Sequence, residues 1–180
     1  HSSTWRQMWQ EAGVVLRSAA MDQGLEPQNR RNALQTLDAV AHDTNRREMW
    51  ADLDFRALLL AGKIFDPDCT RVIFDIYAKL ATDPQTAEDI WGYFGTKAMF
   101  NNGVRSGSAE ALRALVTLST SAQNQATIWQ DMKVLLLEII ETRDSTRKEL
   151  AMEAVANLSE CRYNGHEVWF NSYGNSSKTC

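Results

Sequence analysis

With 180 residues, 44% hydrophobic and 23% charged, the chain has the composition of one ordered domain or one short superhelix rather than of a disordered protein. A net charge of −4 with scattered basic residues lacks the footprint of a nucleic-acid binder and argues against a nucleic-acid partner. No run approaches the roughly 20 apolar residues of a membrane span, and only 3 prolines leave long stretches free for helices.

In chain order, the first apolar segment carries Trp9, passes through Val14 to Met21, and is closed by Gly24 and Pro27. Leu34, Leu37 and Val40 then recur at helical spacing, one buried face of an α-helix. Asn45-Arg46-Arg47-Glu48 fits a capping box, with the Asn side chain accepting from the first turn and the Glu reaching back, and starts a short helix holding Trp50. The segment Phe55 to Phe65 ends at Asp66-Pro67, where Asp66 is placed to cap and Pro67 to take the first helical position. Ile73, Ile76 and Leu80 mark the next apolar row.

Thr86-Ala87-Glu88-Asp89 is a weaker box ahead of Trp91. Ala98 to Val104 follows, and Ser106-Gly107-Ser108 closes it, with Ser108 as cap of a helix whose row is Leu112, Leu115 and Leu118. Asn124 caps the Trp129 helix without a reciprocal acid. Lys133 to Ile140 runs on to Asp144-Ser145, where Ser145 reads as the cap of a helix with Leu150 or Ala151, Ala154 or Val155, and Leu158 inward. Asn164-Gly165-His166-Glu167 is a further box ahead of Trp169, and the polar stretch Asn171 to Ser177 reads as a frayed tail.

Trp9, Trp50, Trp91, Trp129 and Trp169 lie 41, 41, 38 and 40 residues apart, and each follows a large apolar residue. This is an internal repeat. It predicts units over about 9–49, 50–90, 91–128 and 129–168, each a short, a medium and a long helix, with 169–180 a frayed tail or a truncated further repeat. The five tryptophans are expected to point inward as anchors locking one unit onto the next. Gly92, Gly95, Gly103 and Gly107 crowd into the third unit, which reads as degenerate or as a hinge.

The stretch Ala111-Leu112-Arg113-Ala114-Leu115-Val116-Thr117-Leu118-Ser119, continued by Asn124-Gln125-Ala126-Thr127-Ile128, resembles the armadillo repeat. So does Ala154-Val155-Ala156-Asn157-Leu158-Ser159, and Glu11-Ala12-Gly13-Val14 is similar to the family's glycine turn between first and second helices. The resemblance covers almost the whole chain. It implies an all-α fold, a right-handed α-solenoid of about four three-helix repeats in which the third helices line a concave groove. Carried over, that groove consists of Arg31, Gln35 and Ala39, then Arg71, Asp75 and Lys79, then Ala109, Arg113 and Thr117, and last Glu149, Glu153 and Asn157. The family's nuclear-import receptors place Trp at the middle position and Asn at the last. Only Asn157 matches, so a receptor for nuclear-localisation signals is disfavoured.

The implied function is a protein- or peptide-binding scaffold, with a regulatory or autoinhibitory array of a larger enzyme, or a structural subunit of a complex, as the alternative. Nothing in the chain reads as an enzyme. His1, His42 and His166 lack metal spacing, no phosphate loop or nucleophile elbow is present, and no cofactor or metal is expected. Cys69, Cys161 and Cys180 read as reduced thiols of an intracellular protein, cytoplasmic or nuclear. His1-Ser2-Ser3 carries no signal-peptide pattern.

Overall fold

Apolar residues recurring every three or four positions close into helices along the described parts of the chain, residues 2–61 and 66–161 of a computed structural model. Ten helices result: α1 (Ser2–Met21), α2 (Pro27–Val40), α3 (Arg46–Ala51), α4 (Leu53–Leu60), α5 (Pro67–Leu80), α6 (Pro84–Gly92), α7 (Thr96–Arg105), α8 (Ala109–Ser119), α9 (Ala122–Ile140) and α10 (Ser145–Ser159). Among the described residues there is no strand. Trp169, His166 and the Asn164 box lie outside them.

Helices α2, α5, α8 and α10 carry the expected rows. Leu34, Leu37 and Val40, then Ile73, Ile76 and Leu80, then Leu112, Leu115 and Leu118, are all buried. On α10 the inward residues are Ala151, Ala154, Val155 and Leu158. These helices pack in chain order, α2 on α5, α5 on α8 and α8 on α10. Trp9, Trp50, Trp91 and Trp129 are buried on the helices packed against them. Around Phe100 the rings of Phe74, Tyr77 and Trp91 meet edge-on at 5.3, 5.4 and 5.9 Å, pairs worth about 0.5–1.5 kcal/mol each beyond the area they bury.

Several starts and stops follow local rules. Asp66, with Pro67 behind it, accepts a hydrogen bond from the Cys69 amide, and Ser108 accepts from Ala111. Asp52 and Asp83 cap α4 and α6 in the same way. The cap of α10 is Asp144 rather than Ser145, because the carboxylate of Asp144 accepts from Arg147 and Ser145 is already helical.

Three local expectations are overturned. The first is a three-helix unit throughout. The Trp9 and Trp129 helices run unbroken into the segments that follow, as α1 and α9, so these two units have two helices and only the middle two have three. Gly13 makes no turn. It is buried inside α1, and a Cβ on it would lie 3.0 Å from Trp9 Cε3, so its bareness makes room for the indole. Second, Asn45 and Asn124 do not cap. The Asn45 amide donates to the carbonyls of Trp5 at 3.3 Å and Val40 at 2.9 Å, and its oxygen accepts from the His42 amide. Asn124 donates to Ala87 at 2.9 Å and Leu118 at 3.4 Å. Both lie five residues before a tryptophan and reach a carbonyl four residues before the preceding one. They are buried struts between units, and a buried amide without such partners is costly. Glu48, freed from any box, instead meets Arg6 at 3.2 Å. Third, Thr86 does not open the Trp91 helix. It donates to the true cap, Asp83.

Three of the four glycines of the third unit have assignable tasks. Gly95 and Gly107 hold φ of 91° and 95°, the left-handed region that side chains disfavour. A Cβ on Gly103 would run into the Phe74 ring.

Candidate functional site

The side chains of α2, α5, α8 and α10 that are not buried form the candidate site, because packing in chain order brings successive helices side by side. Seven of the twelve residues carried over above interact with other described residues, and these divide into two groups.

Three serve as ties between neighbouring helices. Lys79 Nζ on α5 donates to the Asp38 carboxylate at 2.7 Å and the Asp38 carbonyl at 2.9 Å on α2. Asn157 Nδ2 on α10 makes the same 41-residue reach to the Val116 carbonyl at 3.3 Å, and also meets Ser119 Oγ at 3.1 Å on α8. Arg31 pairs with Asp68 at 2.5 Å and lies 3.7 Å from Asp66, at the start of α5. All three side chains are held by the protein itself.

The second group centres on Asp75. Its carboxyl is raised above the usual range by burial first, then by the nearby charges of Asp38 and Glu110, against the opposing pull of Arg113 and Arg71. Five charged side chains from α2, α5 and α8 thus share one neighbourhood. Arg71 and Arg113 are exposed, and Arg71 is 3.8 Å from Asp68. The hydroxyl of Thr117 donates along its own helix to the Arg113 carbonyl at 3.3 Å.

Gln35, Glu149 and Glu153 are exposed, with no ion pair among the described residues. An open depression of about 510 Å³ sits beside this face, lined by Asp68, Thr70 and Arg71 at the start of α5 and by Ser106, Ser108 and Glu110 at the start of α8.

Asp38, Asp68 and Glu110 are the residues that reading the repeat row alone misses. Asp38 lies one residue off the row. The signal that finds it is the 41-residue step to Lys79, one unit on, with opposite charge.

The chemistry on offer is ion pairing and hydrogen bonding. Burial, then the hydrogen bond and charge of Asp66, push the Cys69 thiol up to about 11, so it is protonated near neutral pH and a poor nucleophile. Among the described residues no group of three or more His, Cys, Asp or Glu is placed to hold a metal ion, and no helix is long and apolar enough to cross a membrane. Comparison with protein-family models, curated proteins and solved structures found no match to the chain.

Proposed function

We propose that the chain is a protein- or peptide-binding scaffold, a right-handed α-solenoid of four armadillo-like units whose binding surface is the face of α2, α5, α8 and α10. The observation that carries this reading is the charge cluster around Asp75. Side chains from three successive helices lie near it, and two of them are exposed arginines that take no part in the tie that Lys79 makes to Asp38.

The face is polarised. Arg71 and Arg113 stand open on α5 and α8, whereas Glu149 and Glu153 stand open on α10. An extended ligand with acidic residues over α5 and α8 and basic residues over α10 fits that order through electrostatic complementarity. Arg31, Lys79 and Asn157 drop out of the contact set, since each is already tied to a neighbouring helix.

The test uses a labelled synthetic peptide with an acidic block followed by a basic block, titrated by fluorescence anisotropy at low and high salt. Binding is expected to weaken with salt. Arg113→Glu should weaken it roughly fivefold, the size of a surface ion pair, and reversing the matching peptide charge should restore it. Binding unaffected by Arg113→Glu and by Glu153→Lys would overturn the proposal.

A further inference from the structure

α1 and α9 are the two unbroken helices of the repeat, so placing Trp9 on Trp129 sets them in one register. On α9 the row Ile128, Met132, Leu135 and Ile139 is buried. The preceding helices cover it: α6 and α7 both pack on α9, and Asn101 of α7 reaches the Met132 sulfur at 3.9 Å. The same slots on α1 hold Met8, Ala12, Val15 and Ala19. Here Met8 is 37% and Val15 68% exposed, although Met49, Ile90 and Ile128, each the residue before a later tryptophan, are all buried. The register has an internal control. Val14 and Val134 share a slot off this row, and their exposures agree at 62% and 61%.

A charge follows two of the three later described tryptophans, with Tyr93 in its slot after Trp91. Two residues after their tryptophans stand Asp52 and Asp131. Each receives a cation from the helix that covers its unit, Arg17 at 3.1 Å and Lys97 at 2.8 Å. Glu11 occupies that slot on α1, where it accepts only from Gln7 of its own helix among the described residues.

The neighbouring part of this edge is different. On α2 the slots of the buried Cys69, Val72 and Ile76 are filled by Asn29, Asn32 and Thr36, all exposed. That polar strip is finished against water, so what fits the apolar row is a single helix rather than a helix pair.

We infer that the outer row of α1 docks one amphipathic helix of a partner protein, laid along Met8, Ala12 and Val15 and carrying a Lys or Arg that reaches Glu11. This surface is separate from the α2–α5–α8–α10 face and stands whether or not that face binds a peptide. Apolar contact supplies the attraction, and the Glu11 pair sets the register of the incoming helix.

The probe is a synthetic peptide of Ser2–Met21, the helix that within this chain brings Arg17 to Asp52. It is titrated into the full isotope-labelled chain and followed by NMR. Saturable shifts are expected along residues 8–15. Val15→Arg should abolish them. Glu11→Lys should weaken binding roughly fivefold, and a peptide with Arg17→Glu should regain it on the Glu11→Lys chain. Glu11 is exposed, so circular dichroism should find that variant folded. Four outcomes would each overturn the inference: absence of saturable binding, shifts on α3 and α4 in place of α1, indifference to Glu11→Lys, or a dimer of the chain alone that Val15→Arg dissolves, which would give the row to a second copy.

Discussion

The third and fourth units solve one packing problem with different backbones. Both bury a tryptophan, Trp91 and Trp129, behind a buried isoleucine. In the fourth unit the tryptophan lies inside one unbroken helix, α9, of 19 residues. In the third the helix stops at Gly92, and the chain crosses Tyr93, Phe94 and Gly95 and begins again as α7. The break exposes Phe94 to 93%, yet α7 still returns Met99, Phe100 and Val104 to the core. What the repeat preserves is the position of the buried side chains. The backbone linking them is free to be one helix or two, as local residues dictate.

The largest effect tests that equivalence. Truncating a buried large aromatic costs about 3–5 kcal/mol, and Trp91→Ala and Trp129→Ala are expected to lose similar amounts in chemical denaturation. If Trp91 cost less than half of Trp129, the broken unit would hold its anchor only loosely and the two slots would not be equivalent.

The equivalence is also what makes much of the fold legible without coordinates. Tryptophan spacing and the apolar rows of α2, α5, α8 and α10 are periodic signals, and they survive because burial selects side chains slot by slot. Asp66 and Ser108 are readable as caps because their partners lie three residues away. Asn45 and Asn124 mislead for the opposite reason. Their partners lie as far as 40 and 37 residues off, and a residue that suits an N-cap equally suits a buried strut. Gly13 misleads because one glycine costs a helix only about 1 kcal/mol relative to alanine, less than the indole packing that it permits. In the candidate site the exposed row is legible by position. The ties from Lys79 to Asp38 and from Asn157 to Val116 depend on how far one helix slides along the next, which no single helix encodes.

A smaller effect separates the two backbones. Gly95 has a φ of 91°, and an L side chain in that region costs roughly 1–2 kcal/mol. Gly95→Ala should therefore destabilise the chain by about that amount in denaturant titrations. Gly92 offers the contrast. Nothing lies within 4 Å of a Cβ built there, and it is helical, so Gly92→Ala should stabilise by up to about 0.5–1 kcal/mol. Equal effects at the two glycines would mean that the break is not set by backbone conformation.

The smallest effect concerns how each helix begins. α9 enters through Ser121, whose hydroxyl makes no capping bond to the backbone. α6 enters through Asp83, which accepts from the Thr86 amide and hydroxyl at 2.9 Å each and is gripped by Arg47 Nε and Nη2 at 3.0 and 2.9 Å. The Arg47 hydrogen bonds first, then those of Thr86, outweigh a modest burial penalty and lower Asp83 from its ordinary 3.8 to about 2. A carboxyl whose folded value lies below its unfolded one stabilises the fold where it is ionised in both states. The contribution is thus complete above about pH 4, shrinks as pH falls from 4 towards 2, and is gone below. Arg47 is solvent-exposed, so the effect is small and salt should reduce it. Asp83→Asn keeps a capping side chain but discards the charge, which isolates this term from the other carboxylates titrating in the same range. The thermal midpoints of wild type and Asp83→Asn should differ most above pH 4 and converge by about pH 2, whereas Ser121→Ala should shift the midpoint by the same amount throughout. A gap between wild type and Asp83→Asn that stayed constant across that window would remove Arg47 as the cause and leave α6 starting no differently from α9.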